Sequence, residues 1–143
     1  MSCLKGLGFL ALVGLLTIGG GFAAAEIVIV VSPQNPTTAL TKNEVSNIFL
    51  GKTNYFPGDG NAVPIDQPEG SQPRIAFYLD ISNKQPADIK AHWSKMVFTG
   101  RGQPPMVVNG DAQVKRTLAS QPEGIGYIDS TSVDERVKVL VIQ

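Results

Sequence analysis

The hydrophobic positions of this chain change their period several times, and each change marks an element. Residues 26–32, EIVIVVS, form a β-branched apolar run without polar alternation, the pattern of a strand covered on both faces in a mostly parallel sheet. After the polar loop PQNPTTA the spacing turns helical. Thr41 stands three residues before Glu44 as a capping box, and Leu40 and Val45 occupy the positions of a hydrophobic staple. Val45, Ile48 and Phe49 then share one face until Gly51 ends the helix. TNYFPGDGN carries turn residues and no period, so it reads as a loop, and Ala62 to Asp66 returns as a short strand.

The second half repeats this alternation. The turn QPEGSQPR, residues 67–74, leads into IAFYLDIS, which is apolar around most of its circumference. Ile75, Tyr78 and Leu79 make one stripe and Phe77 with Ile81 another, so a largely buried helix is predicted. Pro86 suits the first turn of a further helix, PADIKAHWSKMVF, with Ile89, Trp93, Met96 and Val97 on one face. TGRGQPP stops it. Pro105 to Val108 reads as a strand, Asn109-Gly110-Asp111 opens a helix over residues 112–120 with Val114 and Leu118 inward, and Ile125–Ile128 and Val137–Ile142 read as strands. This order predicts the α/β class, a three-layer sandwich with a mixed, mostly parallel sheet.

The N-terminus differs from everything after it. One Lys5, a long uncharged apolar stretch and Ala23-Ala24-Ala25 have the layout of a signal peptide over residues 1–25, which implies export to the periplasm and no membrane insertion after cleavage. A single domain, residues 26–143, is expected to remain. The lone Cys3 falls in the leader, so the domain has no thiol for a disulfide or a metal.

Charge narrows the partners. Twelve basic residues balance twelve acidic ones, so no basic field favours nucleic acid or anionic lipid, and any anion recognition must be local. His92 is the single histidine and no G-x-S-x-G elbow is present, so neither a metal centre, a cofactor nor an enzyme is expected. His92 reads as a packing or surface residue, and Trp93 and Tyr127 as core or edge residues whose polar tips reach partners.

The candidate chemistry lies at Gly70, Ser71, Gln72 and Arg74. A first-turn arginine faces the positive end of a helix dipole and unpaired backbone N–H groups, a small penalty that a bound anion would reverse. In a functional reading, Ser71 offers its hydroxyl and, with Gln72, backbone N–H groups, while Arg74 adds a charge-assisted fork. In a structural reading, Ser71 caps the helix, Pro73 pre-sets its first turn and Arg74 points into water. Asp66 and Glu69 read as loop solvation, and Asn109-Gly110-Asp111 as a border of the same cleft.

Three stretches, in order, carry a family resemblance: VVSPQNPTTALTKNEVSNIFLGKT over residues 30–53, Gly70-Ser71 before a helix, and Glu123-Gly124-Ile125-Gly126-Tyr127-Ile128. Together they resemble the second lobe of the periplasmic phosphate-binding proteins of ABC transporters. The resemblance implies one lobe of a type 2 periplasmic-binding fold, with phosphate or a related oxyanion at the Gly70-Ser71 turn. It departs within that turn, where Gln67 takes the place of the family's arginine and Pro73 that of its threonine. Because those proteins close two lobes on the anion, the resemblance also implies a homodimer or an envelope protein partner. Two functions follow: an exported solute-binding protein for phosphate or a similar oxyanion, or a ligand-free single-lobe interaction module of the cell envelope.

Overall fold

In the computed structural model, which describes residues 26–58 and 60–143, the chain runs β1 (Ile27–Val31), β2 (Ala39–Leu40), α1 (Lys42–Phe49), β3 (Val63–Asp66), α2 (Gln72–Ser82), α3 (Pro86–Phe98), β4 (Met106–Val107), α4 (Asp111–Ser120) and β5 (Gly124–Asp129). A 3-10 turn at Ser130–Ser132, β6 (Lys138–Val139) and β7 (Val141–Ile142) complete it. The leader expected over residues 1–25 lies outside the described residues. Among the described residues, no helix is long and apolar enough to cross a membrane.

The central sheet is ordered β4-β3-β5-β1-β6. β3 pairs parallel with both β4 and β5, whereas β1 is antiparallel to β5 and β6. Four strands therefore share a direction and β1 opposes them, which makes the sheet mixed and mostly parallel. Ile29, Val30 and Val31 are buried as their run predicts, but through a central position in the sheet. Parallel neighbours are not the cause, because β1 has none.

Helices cover both faces. Ile29, Val31, Ile125 and Tyr127 point to one side, against Phe49 of α1, Phe77 of α2 and Ile89 of α3. Val30, Ile65 and Ile128 point to the other, against Val114 and Leu118 of α4. The three layers follow from the period-2 alternation of the strands, since each face then presents its own apolar set. Gly126, opposite Val30, lets α4 approach: a Cβ there would lie 2.8 Å from Val114 Cγ1.

The capping box forms as the sequence predicts. Glu44 N–H donates to Thr41 Oγ1 at 3.1 Å and Thr41 N–H donates to Glu44 Oε2 at 2.8 Å. Beyond α1, Gly51 takes φ +72° and passes under the Trp93 ring, where a Cβ would lie 2.8 Å from Cη2. Only glycine meets both demands.

Three local expectations change. The loop PQNPTTA ends in a strand, because Ala39 and Leu40 pair in parallel with Val141 and Ile142. The run Val137–Ile142 is two strands, not one: Leu140 N–H bonds the Ile29 carbonyl at 2.9 Å, after which the chain leaves β1 and joins β2. On α3, Val97 lies on the predicted inner face yet is 51% exposed, because α3 buries only Ile89 and Trp93.

Candidate functional site

The chain leaves the sheet at the end of β3 and turns through residues 67–70 into α2. Gly70 takes φ +82°, and Ser71 N–H bonds the Pro68 carbonyl at 3.0 Å, which closes the turn. Ser71 then stands at the N-cap of α2 in an extended conformation, but its hydroxyl makes no capping bond. The capping role expected for it is not realised. A cap hydroxyl accepts from the second or third helical N–H, and Pro73 occupies the second position without one. Ser71 Oγ is shielded from solvent and has no hydrogen-bond partner among the described residues.

Arg74 does not point into water. Its side chain is 17% exposed, with Nε 3.6 Å from Asp66 Oδ2 and the guanidinium carbon 5.6 Å from the Tyr78 ring centroid. Gln72 is exposed beside it at the first helical position. Gly70, Ser71, Gln72 and Arg74 therefore share one helix mouth.

Asp66 is the residue that sequence reasoning undervalued. It is 1% exposed, so the loop-solvation reading is corrected: the acid closes an apolar strand and goes into the interior with it. Oδ1 accepts from Tyr127 Oη at 2.5 Å and from Gln67 N–H at 2.8 Å, and Oδ2 accepts from Tyr78 Oη at 2.6 Å. With Arg74 alongside, the carboxylate has four neighbours that favour its charge, as a buried charge requires. Burial raises the pKa of both tyrosine hydroxyls far above the ordinary value, and the negative charge and hydrogen bonds of Asp66 raise them further. The signal was present in the sequence as V-P-I-D: an acid ending a buried strand needs donors nearby.

Gln67 extends this network. Its Nε2 donates to the Tyr127 carbonyl at 2.9 Å and to Asp111 Oδ1 at 3.1 Å, while Asp111 Oδ2 accepts from Asp129 N–H at 3.1 Å and Ser132 Oγ at 2.8 Å. Asp111 thus ties the ends of β3 and β5 to the first turn of α4. The segment Asn109-Gly110-Asp111 borders the turn through this bond. Glu69 is exposed on the loop, as expected. His92 Nε2 lies 2.8 Å from the Leu50 carbonyl and its ring meets Trp93 edge-on at 5.0 Å, a packing role. Tyr127 finds its polar partner in Asp66, but Trp93 Nε1 is buried without one among the described residues.

The tyrosines make stability pH-dependent. Unfolded, each would ionise near pH 10, whereas the folded hydroxyl stays protonated well above that. Above about pH 10 the unfolded state releases protons that the folded state keeps, so stability falls as pH rises. Denaturant titrations are expected to show no contribution from this source below pH 10 and a loss of about 1.4 kcal/mol per pH unit per tyrosine above it. Tyr127→Phe should remove about half of that slope.

The layered arrangement defines the class: an α/β sandwich with the fold of one lobe of a periplasmic-binding protein. Among solved structures, the chain is similar to a protein from Clostridium perfringens described as a phosphate ABC transporter substrate-binding protein with bound phosphate. The identity is 22% and the TM-score 0.66, over 81% of this chain and 44% of that one. An ABC-type phosphate transport receptor from Vibrio cholerae gives 21% identity and a TM-score of 0.59, over 81% and 45% respectively. The chain spans less than half the length of these structures. No family profile and no curated protein sequence matches it.

Proposed function

We propose that this chain is an exported solute-binding module that takes phosphate or a related tetrahedral oxyanion at the N-terminus of α2. The observation that carries the reading is Ser71, a buried hydroxyl left without a partner at a helix mouth whose arginine is held in place by an interior carboxylate. The N–H groups of Gln72 and Arg74 lie in the first turn, where a helix has no acceptors of its own, and the dipole favours a negative charge there. The structural neighbours described as phosphate transport proteins, from Clostridium perfringens and Vibrio cholerae, support the choice of anion. Residues 1–25 supply the export signal in this reading, and a second copy or an envelope protein supplies the opposite wall of the cleft.

One observation favours the ligand-free interaction module instead. Gln67 is 2% exposed and its amide is committed to Tyr127 and Asp111, so that position offers nothing to an anion. Calorimetric titration with inorganic phosphate and sulfate separates the two. Phosphate binding is expected to weaken roughly 10- to 100-fold in Arg74→Ala, the loss of a charged hydrogen bond, and less in Arg74→Lys, which keeps the Asp66 ion pair. No heat at millimolar phosphate would leave the interaction module as the function.

A further inference from the structure

α3 does not close onto α2. Between them lies a cavity of about 450 Å³, within the range of roughly 300–1,000 Å³ that small-molecule sites occupy. Ile75 and Tyr78 of α2 form one wall and Ile89 and Trp93 of α3 the other, while Val97 and Val107 line it further out. Trp93 is braced where its ring covers Gly51, so the α1 terminus helps to set the wall it forms. The cavity is therefore a feature of how three elements meet.

Two further observations indicate what fits. Lys84, Lys90 and Arg74 line the cavity against one carboxylate, Glu69. Arg74 is held by Asp66, but among the described residues neither Lys84 nor Lys90 has an ion-pair partner. Two free ammonium groups beside an apolar hollow focus a positive potential on it. In the same wall, Trp93 is 7% exposed and among the described residues its Nε1 hydrogen has no acceptor, and an unsatisfied buried donor is uncommon in a finished core.

We propose that this cavity is a binding site, adjoining the oxyanion turn and sharing Gly70 and Arg74 with it, for an organic anion: an apolar or aromatic body seated between Ile75, Ile89 and Trp93, with one carboxylate or sulfonate meeting Lys84 and Lys90. It does not rest on phosphate binding at Ser71, although Gly70 and Arg74 place the two sites side by side.

Trp93 is the chain's only tryptophan, so its emission reports occupancy. Octanoate is the probe, octanol its neutral counterpart, and titrations are run on the whole domain with and without inorganic phosphate. The expected result is saturable one-site binding of octanoate with a change in Trp93 emission, weakened roughly tenfold or more by Lys84→Glu with Lys90→Glu. Ser94→Phe, which fills the cavity from an exposed helix position, should abolish binding while leaving the circular dichroism unchanged. Octanol binding as tightly as octanoate, or unchanged octanoate binding in both variants, would overturn the proposal. So would displacement of octanoate by phosphate, since the two sites would then be one. Failure of phosphate to bind anywhere would end the oxyanion reading and leave this one standing.

Discussion

Replacing Asp66 by alanine is expected to remove about 3–5 kcal/mol of stability, the penalty for breaking a buried charge from its partners. The substitution would strand the donor hydroxyls of Tyr78 and Tyr127 in the interior together with the Arg74 guanidinium, and would leave the Gln67 N–H only its longer bond to Tyr127 Oη at 3.2 Å. In a domain of this size the midpoint of thermal unfolding should fall by roughly 10–20 °C. Asp66→Asn keeps the shape and part of the hydrogen bonding, so its loss should be smaller. Thermal melts of both variants by circular dichroism check this, and a change under about 1 kcal/mol for Asp66→Ala would mean that the carboxylate is not an interior anchor.

The second large effect is expected at Phe77. Its fully buried ring stacks on Tyr127 at 4.0 Å between centroids and 5° between planes, and it meets Phe49 at 4.6 Å and Tyr78 at 5.0 Å. Phe77→Ala opens a cavity at the junction of α1, α2 and β5, at a cost of about 3–5 kcal/mol. Urea titration should show a lower midpoint with an unchanged slope, since the folded state remains and only its stability drops. Tyr127 belongs both to this aromatic cluster and to the Asp66 network, so the two substitutions share a partner. The double variant should depart from additivity by about 0.5–3 kcal/mol. Strict additivity would show that the aromatic cluster and the polar network act independently.

The anion binding proposed at the helix mouth would depend on these interior residues. Arg74 is positioned by Asp66, and Asp66 is held by two tyrosines from different elements, one on α2 and one on β5. Any anion affinity at Ser71 is therefore coupled to the packing of the core. A loss of phosphate binding in Asp66→Ala without a loss of fold would mark it as a positioning residue for Arg74.

Much of the architecture was legible along the chain. The capping box at Thr41 and Glu44, the proline-opened α3 and the glycine after α1 are local signals, read within one or two turns of helix, and each formed where it was expected. The strands Ile27–Val31 and Gly124–Asp129 announced themselves by continuous apolar runs. The location of the candidate site was legible too. Gly70, Ser71, Gln72 and Arg74 do share one helix mouth, because the turn and the helix are contiguous in sequence.

What the sequence by itself determined was each element's identity and its apolar face, since periodicity, caps and turn residues act over a few neighbouring positions. Tertiary structure decided the rest. It placed β1 antiparallel amid four strands of the other sense, divided residues 137–142 between two sheets, and left α3 standing off from α2 with Val97 exposed. It also joined Asp66 to Tyr127, 61 positions away, and withheld a capping bond from Ser71. Those outcomes depend on which distant groups meet in the interior. A buried charge and an unpartnered hydroxyl are properties of the assembled surroundings, which no local pattern carries.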